Sequence, residues 1–258
     1  MPRRTVLAGA VAGAGLVGAG WSTAPAAALA GTRVAGGLKA LAFDGFTIFD
    51  PRPVTAAVVA QFPDQGKALA AAWTGKLFAL SWLETAAGRY SGFDAVADAA
   101  LAYSAESLSI PLSPAARRDL VGAYRRLPLW PDARAGLEKL RAAGFRLAFL
   151  SNLGADALVD AMRRNAIDEL MEPPISTDRV RAFKPSPRAY AMAPDVFGVS
   201  RDAVGFVAFG GWDALGATWF GYRTAWLNRL GVPAETLSPA AEVTSTGFDG
   251  ALRLAGVA

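Results

Sequence analysis

Four short apolar runs, each cut off by a polar or small residue, constrain this chain more than any other feature. They are "LKALAFD" (38–44), "FRLAFLSN" (145–152), "AVGFVAFG" (203–210) and "YRTAWLN" (222–228). Apolar runs this short, with abrupt ends, read as buried strands. Helical patterns stand between them: "DARAGLEKLRAAG", "ADALVDAMRRNA" and "WDALGATWFG". Alternating strands and helices imply a parallel sheet covered by helices, an α/β fold. The gap between the first and second runs breaks the rhythm. From about Pro53 it is Ala-rich and helical, with "AAAWTGKLFALSWL", "DAVADAALAYSAESL" and "SPAARRDLVGAYRRL". The last starts with Ser113 as an expected cap and Pro114 at the first helical position. The chain therefore reads as a helical domain over residues 53–127, inserted into an α/β core of residues 31–52 and 128–258.

Residues 1–30 read as an export leader. Arg3 and Arg4 precede an apolar Gly/Ala-rich run, and "APAAALA" offers small-residue cleavage sites. The arginine pair resembles a twin-arginine signal, so an exported, periplasmic or secreted protein is expected. Within this segment "GAGLVG" is a literal dinucleotide-type glycine pattern, but it lacks the preceding strand that such a site needs. Cleavage after Ala30 removes two arginines and no acids, so the formal charge falls from +4 to +2. The basic balance thus gives no case for a nucleic-acid partner.

With no cysteine and no histidine in 258 residues, whole mechanisms are excluded. There is no Ser-His-Asp triad, no thiol nucleophile and no thiolate or imidazole metal site. Chemistry must come from Asp, Glu, Lys, Ser, Thr or Tyr. In open α/β sheets it is sited at the carboxyl ends of the strands. The first run delivers Asp44 and then Thr47, the second Ser151 and Asn152, and the third is followed by Asp213; Lys184 stands in "FKPSPRAY". Alone, Asp44 or Asp213 reads as a helix cap and Lys184 as a loop lysine. Together they are what a carboxylate nucleophile needs: a neighbouring cation, and donors for the oxyanion formed when its ester is hydrolysed.

These segments resemble the haloacid dehalogenase superfamily, and within it the L-2-haloacid dehalogenase (type II) family, from about Leu38 to Val243. "AFDGFTIFD" resembles the first motif, "WTGKLFALSWLETAAGRYSGF" the helical cap signature, "LAFLSN" the second motif, "VRAFKPSPRAY" the third and "GFVAFGGWDALGATWFGYRTAWLNR" the fourth. The resemblance implies a Rossmann-like parallel core with a cap inserted after the first strand. It also implies hydrolytic dehalogenation of a short 2-haloalkanoic acid through an ester on Asp44. Lys184 then pairs with the nucleophile and Asp213 positions or activates the water. Ser151, Asn152, Thr47 and Tyr190 fall at the substrate. No metal or other cofactor is implied; the position where the phosphatase branch carries a second Asp is Phe46. A homodimer is a family expectation.

The pattern has departures. The first motif lacks the glycine before Thr47, and Thr74 follows Trp73 where the family has a halide-contacting arginine. Ala208 and Gly210 replace a Ser and an Asn, and Leu153 a small residue. A weakened halide site is therefore expected, with Arg52 as the replacement cation on position alone. Two other functions fit the same residues: an exported, catalytically weak relative that binds a small acid or a partner, and a phosphatase of the same fold, against which Phe46 argues.

Overall fold

The computed structural model describes residues 37–257. The expected leader, with its arginine pair and glycine pattern, lies outside the described residues.

The first strand, β1 (Ala40–Phe43), is buried along its whole length. It is followed by a one-turn helix, α1 (Gly45–Ile48). The chain then leaves the core for four helices: α2 (Arg52–Gln61), α3 (Gly66–Ala86), α4 (Phe93–Ser107) and α5 (Pro114–Gly122). Ser113 caps α5 by accepting the Ala116 N–H, and Pro114 occupies its first position. A 3₁₀ turn, Ala123–Arg125, leads back. Exit and return are pinned together by an antiparallel bridge between Phe49 and Leu129. The Asp50 N–H donates to the Pro128 carbonyl and the Trp130 N–H to the Ile48 carbonyl. The helical insertion is thus stapled at its neck.

The core continues with α6 (Ala133–Ala142), β2 (Arg146–Ser151), α7 (Ala155–Arg164), β3 (Ile175–Ser176), α8 (Pro187–Tyr190) and α9 (Met192–Phe197). After these come β4 (Val204–Ala208), α10 (Gly211–Phe220), β5 (Arg223–Leu227), β6 (Val243–Ser245) and α11 (Asp249–Ala255). The sheet is parallel, in the order β3-β2-β1-β4-β5-β6. The chain runs outward from β1 through β2 to β3, then crosses to β4 on the other side of β1. That reversal makes the carboxyl edge beside β1 the switch point, where α/β sheets bind ligands. Register brings the strand ends level: Phe43 lies opposite both Phe149 and Val207. The residues just beyond these strands therefore meet.

Two strands, β3 and β6, have no counterpart among the four apolar runs. At two and three residues they are too short for a hydrophobic period to show.

Candidate active site

Asp44 follows the last residue of β1, and its backbone N–H still donates to the Val207 carbonyl of β4. Its side chain does two things at once. Oδ2 accepts the Phe46 N–H at 3.0 Å, capping α1. Oδ1 accepts Lys184 Nζ at 2.7 Å. The cap and nucleophile-site readings of this acid are compatible, because each uses a different oxygen.

The loop that aims Asp44 is held from all sides. Thr47 Oγ1 donates to the Asp44 carbonyl at 2.6 Å, and Trp130 Nε1 to the Phe46 carbonyl at 2.9 Å. The Arg229 guanidinium donates to the Thr47 carbonyl at 3.2 and 3.1 Å through Nε and Nη2, and is itself held by Asp132. Gly45 sits in close quarters: a Cβ would lie 3.0 Å from Ser151 Oγ and 3.2 Å from Leu153 Cδ1. The short first motif is accommodated by closing into one helical turn, with the Phe49 N–H donating to the Gly45 carbonyl.

Lys184 is fully buried and bridges two carboxylates, donating to Asp44 Oδ1 and, at 2.6 Å, to Asp213 Oδ2. Burial alone would lower its pKa, but the charges of Asp213 and Asp44 outweigh burial and raise it. The ammonium is therefore permanent at neutral pH. Asp213, in the first turn of α10, is also buried. Burial pushes its carboxyl up to about 6, with Asp44 adding to the rise and Lys184 opposing it. Tyr190 donates to Asp213 Oδ1 at 2.7 Å, and burial beside that carboxylate holds its own pKa well above the ordinary value. Gly216 permits this approach, since a Cβ there would lie 2.7 Å from the Tyr190 hydroxyl.

Asp44 and Asp213 lie at the floor of a cavity of about 220 Å³ between the core and the inserted helices. Asp44, Ser151, Asn152 and Asp213 line it. Asn152 Oδ1 accepts the Lys184 backbone N–H at 2.8 Å, and its Nδ2 has no hydrogen-bond partner among the described residues. A donor is thus left for a bound anion.

Thr47 and Tyr190, expected at the substrate, do not line the cavity. Both are fully buried behind it, Thr47 supporting the nucleophile turn and Tyr190 holding Asp213. Arg52 does line it, but its guanidinium is committed. It makes three hydrogen bonds to Asp50 and lies 4.5 Å over the Trp130 ring, with its side chain 61% exposed. Burial would raise the Asp50 carboxyl, but the Arg52 hydrogen bonds and charge hold it below its ordinary value. Much of the Arg52 charge is therefore already answered.

The polar departures also have structural consequences. Thr74 Oγ1 donates to the Ala70 carbonyl of its own helix at 2.9 Å. A Cβ on Gly210 would lie 2.8 Å from Trp212 Nε1, so the indole fills the space a side chain there would need. That indole packs edge-on against Phe78 and Trp82 of α3, at 5.2 and 5.7 Å.

Sequence reasoning missed Arg229, Trp130 and Tyr124. Tyr124 lines the cavity with its ring packed against Phe46, Trp73 and Phe93, and its hydroxyl has no hydrogen-bond partner among the described residues. The "YRRLPLWPD" stretch that carries Tyr124 and Trp130 reads as a helix end and a loop, which hid both.

A parallel sheet with a carboxylate at the tip of its first strand, a buried lysine against it and a helical cap above defines a class of hydrolase. Comparison with known proteins agrees. Residues 19–221 match the family model for haloacid dehalogenase-like hydrolases. The haloacetate dehalogenase H-2 of Moraxella sp. (strain B) is 33% identical over 85% of this chain and 99% of its own. The (S)-2-haloacid dehalogenase of Pseudomonas sp. (strain YL) is 34% identical over 81% and 91%. Among solved structures, the L-2-haloacid dehalogenase RSc1362 superposes with a TM-score of 0.83 at 34% identity, covering 86% of this chain and all of that one. The Xanthobacter autotrophicus L-2-haloacid dehalogenase with chloropropionic acid covalently bound gives 0.77 at 30% identity, covering 84% and 98%. The chain belongs to the haloacid dehalogenase-like hydrolases, in their L-2-haloacid dehalogenase family.

Proposed function

We propose that this protein hydrolyses a 2-haloalkanoic acid to the 2-hydroxy acid through a covalent ester on Asp44. The observation that carries the reading is the Asp44–Lys184–Asp213 bridge beneath a capped cavity. The substrate carboxylate is held by the Ser151 hydroxyl and the Asn152 amide. An Asp44 oxygen attacks C2, the carbon–halogen bond breaks and halide leaves with inversion. Asp213 then takes a proton from water, whose oxygen adds to Cγ of Asp44. The Phe46 N–H and the Lys184 ammonium each hold a different Asp44 oxygen, so the oxygen that stays a carbonyl when the other forms the ester already has a donor for its oxyanion. The ester bond breaks, Asp213 returns its proton to the departing alkoxide to give the 2-hydroxy acid, and the regenerated Asp44 carboxyl loses the second water proton, so one halide and one proton are released per turnover. The pKa of Asp213, raised to about 6, suits it to proton transfer near neutrality.

The halide site is part of the same proposal. With the Thr74 hydroxyl turned back on its helix and Arg52 tied to Asp50, leaving-group stabilisation is weakened and alkylation of Asp44 is slow. Halide release by the purified protein, abolished by Asp44→Asn, tests the reading. No halide release from any 2-halo acid would leave a weak relative that only binds acids. Export through the twin-arginine-type leader is likewise proposed, on Arg3-Arg4 and "APAAALA". An intact mass beginning after Ala30 in the exported fraction supports it, and full-length protein confined to the cytoplasm contradicts it. Homodimerisation is proposed on the exposed Trp82 and Leu83 of α3 and is read by analytical ultracentrifugation.

A further inference from the structure

The cavity is divided by chemistry. Its floor carries the reacting groups, whereas its roof, from the inserted helices, is apolar: Val58, Ala70, Trp73, Leu77, Phe93 and Tyr124. Its volume of about 220 Å³ is more than a short acid fills. A cavity of about 150 Å³ lined by aliphatic and aromatic side chains holds a benzene molecule. The methyl group of a 2-halopropionate would leave most of this roof without contacts, and unfilled apolar space forfeits dispersion and burial.

Two residues one turn apart on α3 keep the space open. Ala70 is small, and Thr74, bonded back to the Ala70 carbonyl, spends its hydroxyl within the helix. The roof is also short of charge. Among the described residues Arg52 is the one cationic side chain on the lining, and it is paired with Asp50. Three aromatic rings, Trp73, Phe93 and Tyr124, pack edge to face, with Tyr124 5.4 Å from Trp73 and 5.1 Å from Phe93. Such walls favour a further aromatic ring.

We infer that the preferred substrate is a 2-halo acid whose C2 substituent is a bulky uncharged arylalkyl group, seated under α3 while the halocarboxylate end meets Asp44. The inference rests on the dehalogenase reading above for the reaction, and on the cavity for the substituent. Ala70 and Thr74 are its specificity-determining positions.

The test compares kcat/KM of the purified protein for (S)-2-bromo-3-phenylpropionate and (S)-2-bromopropionate, measured as hydroxy acid formed. The aryl acid should be favoured by at least about tenfold. Ala70→Leu, which places extra carbons in the roof, should lower that ratio about tenfold. Equal kcat/KM values, or a preference for bromopropionate, would overturn the inference and leave the dehalogenase reading standing. Calorimetric binding of 3-phenylpropionate and propionate provides a readout independent of turnover and of the variant's folding. If neither bromo acid reacts but phenylpropionate binds at least about tenfold more tightly, the ligand class holds and the hydrolytic reading fails. Equal affinities would overturn the inference.

Discussion

Lys184 donates its ammonium to Asp44 Oδ1 at 2.7 Å across 140 residues of sequence. Its backbone N–H donates to Asn152, so one residue ties Asp44 to the loop that follows β2. Lys184→Met removes the cation from between two carboxylates. We expect kcat to fall at least about 100-fold. Chemical denaturation at neutral pH should show a stability loss of about 3 kcal/mol, because the acids are left buried without their partner. Wild-type turnover in this variant would contradict the role given to Lys184.

Asp213 sets the pH dependence. A group with pKa raised to about 6 is ionised above that value and protonated below it. Lowering the pH through about 6 should therefore remove the base for ester hydrolysis and slow that step. Asp213→Asn should release about one equivalent of halide per site and then stall with the ester intact. Hydroxy acid formed from the accumulated ester in single turnover, and rapid-quench halide release, measure the two effects. An ester-hydrolysis rate flat from about pH 5 to pH 8 would rule out Asp213 as the base.

Arg229 is a positioning residue. Its side chain is 4% exposed, and its guanidinium holds the Thr47 carbonyl and lies 4.8 Å over the Trp130 ring. Arg229→Met should lower kcat by about tenfold or more while changing KM little, since small misplacements of a nucleophile are costly. Arg229→Lys, which keeps the charge but not the two-pronged contact, should restore only part of the rate. A raised KM with kcat unchanged would point to a binding role instead.

Metal independence follows from the same floor. The ammonium of Lys184 lies between Asp44 and Asp213, and Phe46 supplies no third carboxylate. Turnover should survive a chelator unchanged. Loss of activity with EDTA and recovery with magnesium would favour the phosphatase reading.

Much of this floor was legible in the sequence. Asp44, Ser151, Asn152 and Asp213 were found because buried parallel strands end abruptly, and the residue after each end is forced to one edge. Lys184 was visible through its motif. What each side chain touches was less legible. Thr47 and Tyr190 were placed at the substrate, yet their hydroxyls point into the scaffold, to the Asp44 carbonyl and to Asp213. Arg52 looked free by position, but Asp50, two residues away, claims it. Arg229 reaches Thr47 across 182 residues, a contact with no local periodic signal. The apolar roof showed in the sequence only as a helical pattern, because a helix face that lines a cavity has the same period as one that packs.

The central claim is that Asp44 is the nucleophile. It is tested by a single turnover of excess enzyme with a 2-halo acid in heavy-oxygen water, followed by peptide mass spectrometry. Label is expected in the peptide carrying Asp44, with none entering the product during that first turnover. Label found only in the hydroxy acid, with Asp44 unlabelled, would mean that water attacks C2 directly and would contradict the account.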